Sequence, residues 1–304
     1  MSTLKNGSFN AHIEASISKS LETEWKIQGF IPNEIGAMRE VAMFEGGDGF
    51  NIFVKLGQNP WSYDQFTQEA WGLRHITENS EIATPKVIDV LDIDGAALLI
   101  LEAIKTVPIE SKQDWEILGR GLATLHKTTR DSCGLETHSY LGIWKQNNHP
   151  ADNWPDYYKV MMLNSFYCLA ESKKITDDEM KNVEETLNKL IEKLPEICGT
   201  VQPFSLLHGD PWLGNMLYDG KQLVLIDCSI YYGNREMDIS TVEIFKEFSP
   251  ISDYFLDAYH ECYPIDPGFK DRKELWYVNQ YFGWVTYFGD ENLPRLMDAM
   301  RKYL

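Results

Sequence analysis

Between Leu206 and Asp238 the chain reads LLHGDPWLGNMLYDGKQLVLIDCSIYYGNREMD, and this stretch restricts the possible folds more than any other. A polar segment from His208 to Asn215 is followed by two short apolar runs, Met216-Leu217-Tyr218 and Leu223-Val224-Leu225-Ile226, on either side of Asp219-Gly220. Apolar runs joined by Asp-Gly read as a β-hairpin. Such a hairpin returns the chain to the end at which it began, so Asp227 is expected beside Asn215. Isolated His-Gly-Asp strings usually do no more than cap turns in polar loops. Here His208, Gly209, Asp210, Trp212, Gly214 and Asn215 stand together, and the fold must present Asp210, Asn215 and Asp227 to one place. Carboxylate and amide oxygens are the ligands that hard Mg²⁺ prefers, and Mg²⁺ is the usual neutraliser of phosphate charge.

The spacing from His208 to Asn215 reproduces the catalytic-loop pattern His-x-Asp-x-x-x-x-Asn. In sites of that type one Asp orients and deprotonates the accepting hydroxyl, and an Asn and a later Asp bind Mg²⁺. More specifically, His-Gly-Asp-x-Trp-x-Gly-Asn followed by Asp-x-x-x-Tyr-Tyr-Gly-x-Arg-Glu-x-Asp resembles the fructosamine kinase family, a branch of the aminoglycoside-phosphotransferase-like kinases. The second half of that signature stands at Asp227, Tyr231, Tyr232, Gly233, Arg235, Glu236 and Asp238. Pro211 replaces the family's usual Leu, and Cys228-Ser229 replaces its usual Pro-Ala or Pro-Ser.

The resemblance implies an α+β, bilobal, protein-kinase-like fold. Its small N-terminal lobe, residues 1–104, would hold an antiparallel sheet plus a helix, and its larger, mainly helical lobe would span 105–304. It also implies ATP and Mg²⁺ as cofactors and a sugar hydroxyl of a ketosamine, of fructosamine or ribulosamine type, as acceptor. The partner is then a small glycated amine or a glycated protein, and the outcome is deglycation. Asp210 would be the base, Asn215 and Asp227 the metal ligands, and Trp212, Arg235 and Glu236 would meet the substrate. A related segment, Gln146, Asn148, Trp154, Tyr157 and Tyr158, would shape the acceptor side.

Upstream, Val41-Ala42-Met43-Phe44 and Phe50-Asn51-Ile52-Phe53-Val54 flank Gly46-Gly47-Asp48-Gly49 and read as strand, turn and strand, the second ending in Lys55. Ser62 opens a helix whose apolar stripe, Phe66, Ala70 and Leu73, shares its face with Glu69. A carboxylate on that face needs a partner, and Lys55 is the natural one. In kinases such a Lys pairs the nucleotide phosphates and such a Glu orients it. The apolar run Ala96–Leu101 reads as a buried strand, after which Glu102 and Ile104 would offer backbone groups to adenine. The family's Gly-Gly-x-x-Asn nucleotide loop is matched only by Gly36, with Ile35 in place of the other glycine. Residues 112–130 read as a helix that includes His126 as a packed residue. Thr176-Asp177-Asp178-Glu179 is a capping box that starts a helix ending before Pro195. Helices are expected from Ser249 to Leu304.

A formal charge of −18 over 304 residues disfavours nucleic acid and anionic membranes. No long apolar run or signal-like segment is present, so a soluble, cytoplasmic protein is expected. The five cysteines are scattered and read as reduced thiols. Two rival readings remain. One is a kinase for another small acceptor, such as an aminoglycoside, choline or homoserine. The other is a pseudokinase-like ATP-binding protein disabled through its glycine-poor loop.

Overall fold

A computed structural model describes residues 3–33, 39–47, 49–199, 201, 203–247 and 251–304. The chain divides into two compact units, Met1–Pro108 with Leu217–Asp227, and Ile109–Met216 with Cys228–Leu304. An antiparallel sheet dominates the N-terminal part and helices the C-terminal part, the α+β plan expected from the sequence.

The first unit contains helix α1 (Asn10–Leu21), strands β1 (Ile27–Asn33), β2 (Glu40–Gly46) and β3 (Ile52–Gly57), helix α2 (Ser62–Asn79), and strands β4 (Val87–Ile93) and β5 (Ala96–Glu102). The strand order is β1-β2-β3-β5-β4, antiparallel throughout. A position between β3 and β4 and burial of both faces account for the unbroken apolar run of β5. Side chains alternate along a strand. Ile52, Val54 and Leu56 of β3 therefore share one face with Leu98 and Ile100, packed against Ile13 and Ile17 of α1 and against Trp25. Lys55 and its cross-strand partner Leu99 fall on the other face. That face belongs to α2, whose buried residues include Phe66, Ala70, Leu73 and Ile76. Helix α1 and strand β1 are additions to the sequence reading. The segment before α1 is tied down by the Glu40 carboxylate, which accepts from the amides of Thr3 and Leu4 at 2.8 and 2.6 Å.

The second unit begins with α3 (Lys112–His126), β6 (Thr129–Arg130), the hairpin β7 (Ser139–Leu141) and β8 (Trp144–Gln146), α4 (Trp154–Ser172), α5 (Asp177–Ile197) and β9 (Phe204–Leu207). Next come β10 (Met216–Tyr218) and β11 (Leu223–Leu225), the expected hairpin. Its turn is made by the Asp219 carboxylate, which accepts from the amides of Lys221 and Gln222 at 2.8 and 2.9 Å. Leu217–Asp227 groups with the first unit. There the Val107 amide donates to the Tyr218 carbonyl at 2.9 Å and the Leu225 amide to the Ala83 carbonyl at 3.0 Å. The second unit resumes with β12 (Tyr231–Gly233), α6 (Glu236–Phe245), α7 (Asp253–Cys262), α8 (Phe269–Phe288) and α9 (Leu293–Arg301). Strands β12, β9 and β6 form a small antiparallel sheet with β9 in its centre.

Three local expectations are corrected. The helix expected over 112–130 stops at His126, because Thr129 and Arg130 pair with β9 and the β-branched Thr128-Thr129 pair favours extended backbone. Helix α5 does not end before Pro195 but runs through it to Ile197. The Cys198 amide still reaches the Leu194 carbonyl at 2.9 Å, so a single missing donor is tolerated in the last turn. Trp154, Tyr157 and Tyr158, read as acceptor-facing, are buried core residues. Trp154 stacks on Tyr158 at 5.7 Å, and Trp276 meets Tyr158 edge-on at 5.1 Å. Among the described residues no helix is long and apolar enough to cross a membrane.

Trp25 is 1% exposed and donates its indole N–H to the Phe50 carbonyl at 3.0 Å. Trp25→Ala is therefore expected to destabilise the protein by about 3–5 kcal/mol, measured as a lowered urea midpoint.

Candidate active site

Strand β9, with all four residues buried, delivers the chain to His208. Gly209 follows at φ +89°, and a side chain there would collide with the Ser229 carbonyl, so only glycine fits. The loop is then closed by its own atoms. The Asp210 amide donates to His208 Nδ1 at 3.2 Å, the Trp212 amide to the Asp210 carbonyl at 3.0 Å, and the Asn215 amide to the Trp212 carbonyl at 2.9 Å. Asn215 Nδ2 donates to the Asp210 carbonyl at 3.0 Å and to Asp210 Oδ2 at 3.3 Å. This fixes the Asp210 carboxylate and leaves the amide oxygen of Asn215 as a hard donor with no partner among the described residues. Gly214 gives the room that the indole of Trp212 occupies. Trp212 itself is partly buried and stacks on Phe245 at 6.0 Å.

The loop hangs on a carboxylate that sequence reasoning recorded only as a signature position. Asp238, 1% exposed in the first turn of α6, accepts from the amides of His208 at 2.7 Å and Gly209 at 3.0 Å. Its Oδ2 also lies 3.1 Å from His126 Nε2, while His126 Nδ1 lies 2.7 Å from the Tyr259 hydroxyl. The carboxylate places the imidazole proton on Nε2, so Tyr259 donates to Nδ1. Burial lowers the pKa of His126 more than Asp238 raises it, and the ring stays neutral.

In the first unit, Lys55 Nζ lies 2.6 Å from Glu69 Oε1 and also pairs with Asp227 Oδ1. Lys55 and Glu69 are buried, as expected for a charge pair on the α2 face, whereas the Asp227 side chain is 46% exposed. Asp227 adopts φ +54°, a left-handed conformation uncommon for a residue with a side chain, though Asp tolerates it better than most.

Arg235 and Glu236 are engaged by protein rather than left open for a substrate. Arg235 donates to the Tyr259 hydroxyl at 3.1 Å, the Tyr263 carbonyl at 3.0 Å and the Pro264 carbonyl. Glu236, 4% exposed, accepts from Arg272 at 2.6 and 3.1 Å and from the Trp276 indole at 2.8 Å. Such pairs hold α6 to the following chain. Of the backbone groups assigned to adenine, the Glu102 amide is already bonded to the Lys86 carbonyl at 2.9 Å, while the Ile104 amide has no partner among the described residues. Gly36 and Ile35 lie outside the described residues.

A carboxyl clamped by an Asn side chain, on a loop that leaves a small sheet, is the arrangement of a kinase-type catalytic loop. The sequence profile of the fructosamine kinase family matches residues 9–304, and the chain belongs to that family. A protein of Vibrio parahaemolyticus named as a probable ketoamine kinase is 26% identical over 96% of this chain and 98% of its own length. The mouse ketosamine-3-kinase is 25% identical over 84% of this chain and 88% of its own. Among solved structures, a candidate fructosamine-3-kinase of Thermobifida fusca superposes with a TM-score of 0.80 at 25% identity, covering 96% of this chain and 98% of that one. An amicoumacin kinase determined with AMP-PNP and Ca²⁺ shares the fold at a TM-score of 0.60 and 15% identity, over 99% of this chain and 94% of its own.

Burial, and secondarily the charge of Asp238, pushes the Asp210 carboxyl up to about 7, against a smaller opposing pull from the Asn215 amide. An unfolded Asp titrates near 3.9. The folded chain thus holds this proton more tightly, and its stabilising effect is complete below about 3.9, declines as pH rises and is gone above about 7. At pH 8 Asp210→Asn is expected to stabilise the nucleotide-free protein, by on the order of 2 kcal/mol after solvent screening is allowed for. Urea unfolding at pH 8 and at pH 5 measures this, with the gain smaller at pH 5.

Proposed function

We propose that this protein transfers the γ-phosphoryl group of Mg·ATP to a sugar hydroxyl of a ketosamine, a sugar joined to an amine. The carrying observation is Asp210, a carboxyl clamped by Asn215 and tuned to about 7, suited to take a proton near neutrality. In the reaction the acceptor oxygen forms a bond to the γ-phosphorus as the bond to the bridging oxygen breaks, and ADP leaves. Asp210 receives the hydroxyl proton. Lys55, oriented by the buried Glu69, holds the α- and β-phosphates.

The donor set suits Mg²⁺: Asn215 contributes an amide oxygen with no partner among the described residues, and Asp227 a half-exposed carboxylate that shares Lys55. Both are hard oxygen ligands, and Mg²⁺ commonly takes one or two of these and completes its shell with substrate phosphates and water. When bound, Mg²⁺ supplies neutralisation of the phosphate charge. Ketosamine is favoured as acceptor by the family and by the ketoamine and ketosamine kinases among the relatives. Phosphorylation makes the sugar–amine adduct labile, so the physiological outcome is deglycation of a metabolite or protein. A cytoplasmic setting fits the use of ATP and five cysteines that form no disulfide among the described residues. Burial pushes the thiols of Cys133 and Cys168 up to about 11 and that of Cys198 up to about 12, so these stay protonated and unreactive.

ADP release from Mg·ATP is expected to depend on a fructosamine or ribulosamine acceptor. Asp210→Asn should lower kcat by roughly 10²- to 10⁴-fold, and Lys55→Met should raise the KM for ATP. ATP binding without acceptor-dependent ADP would shift the search to other acceptors, and absence of ATP binding would leave a non-catalytic protein.

A further inference from the structure

Asn148, expected at the acceptor side, is 1% exposed and spends its side chain inside the second unit. Its Nδ2 donates to Ser139 Oγ at 2.9 Å and to the Ile230 carbonyl at 3.4 Å, and its Oδ1 accepts from the Tyr157 hydroxyl at 3.1 Å. A carbonyl can only accept, so the Ile230 bond fixes which way the amide points. Ser139, buried on β7, faces Gln146 of β8 across the hairpin, with its Oγ 3.4 Å from Gln146 Oε1. The buried hydroxyl of Ser229 meets both, 3.0 Å from Ser139 Oγ and 3.2 Å from Gln146 Oε1.

Ser229 is where this cluster reaches the catalytic loop. Its amide donates to the His208 carbonyl at 2.9 Å, and its own carbonyl stands where a Cβ on Gly209 would collide. Gly209 immediately precedes Asp210, whose amide returns to His208 Nδ1 at 3.2 Å. Asp238 holds the amides of His208 and Gly209, and Ser229 holds the carbonyl of His208. The backbone that leads into Asp210 is thus gripped through its donors by one residue and through its acceptor by another.

Apolar packing at Ser139, Asn148 and Ser229 would bury a similar surface without direction. A buried polar network with its partners in place specifies one arrangement instead. That matters beside a reacting group, because a misplacement of about 1 Å can cost about a hundredfold in rate.

We propose that Ser139 and Asn148 are positioning residues for phosphoryl transfer: they fix the Ser229 hydroxyl, and through the Ser229 backbone they set the turn that presents Asp210. The inference rests on the ketosamine kinase reading above. Because they act through Ser229, their loss falls on kcat and spares the two KM values.

The test is steady-state kinetics with Mg·ATP and a fructosamine or ribulosamine, with the melting temperature of each variant measured alongside. Ser139→Ala should lower kcat by about tenfold, with the KM for ATP and for the acceptor within about twofold of wild type. Ser139→Thr, which returns the hydroxyl, should recover most of that loss. Ser229→Ala should lower kcat similarly, and the double variant should be no slower than the slower single, because both remove the same contact. Ser165→Ala removes a hydroxyl bonded to Asn279 at 2.7 Å in the same unit and controls for general loosening; it should keep the wild-type kcat. Should Ser139→Ala fail to fold, Ser229→Ala alone decides, since it keeps the backbone bond to His208 and loses only the hydroxyl. An unchanged kcat in folded variants, a loss carried by KM, a loss shared by Ser165→Ala, or multiplicative losses in the double variant overturns the positioning role while the kinase stands. Wild type inactive on both acceptors overturns the ketosamine reading itself, and the positioning role with it.

Discussion

The carboxylate of Asp238 is the point on which the catalytic loop depends. It accepts from two consecutive backbone amides and from His126, and so gathers the end of β9, the start of α6 and the end of α3 around one buried charge. Three donors and a helix N-terminus offset the loss of water that such a charge suffers. The same charge acts at a distance on Asp210 and helps to raise its proton affinity. Asp238 thus positions the loop and adds to the larger effect of burial on the candidate base. Tyr259 and Arg235 extend the arrangement to α7, because the hydroxyl that fixes the His126 tautomer is itself held by a guanidinium.

In the first unit the corresponding economy is one cation shared by two anions. Glu69 is buried with the Lys55 ammonium against it, whereas Asp227 is half exposed and has water as an alternative. The two pairs are therefore unequal. Asp227 is the partner that Lys55 can give up at the smaller cost.

Much of this was legible in the sequence wherever the signal was local. The loop from His208 to Asn215, the Asp219 turn and the Thr176 capping box are written within a few consecutive residues, and the structure bears out each as an element. Lys55 and Glu69 were readable across a longer interval because strand and helix periodicity each put a charge on an apolar face. The partnership of His126 with Asp238 spans 112 residues and has no such pattern behind it. Arg235 and Glu236 show the opposite error. Charged residues in a signature suggest a substrate, but Arg272 and Trp276, which engage Glu236, lie 36 and 40 residues further on, where no periodicity connects them.

The grouping of Leu217–Asp227 with Met1–Pro108 bears on how the protein is made. Translation proceeds from the N-terminus, so the five strands of the first sheet have all emerged from the ribosome long before Asp227 is synthesised. The groups that bond to the late hairpin, at Ala83 and Val107, lie on the earlier part of the chain. A nascent chain released at Pro108 would carry Lys55 and Glu69 without Asp227, the proposed phosphate-binding pair without the proposed metal carboxylate. Assembly of the candidate nucleotide site is thereby deferred until the Asp210 loop has also been synthesised, and a truncated product has no complete set of phosphate-handling groups with which to occupy ATP.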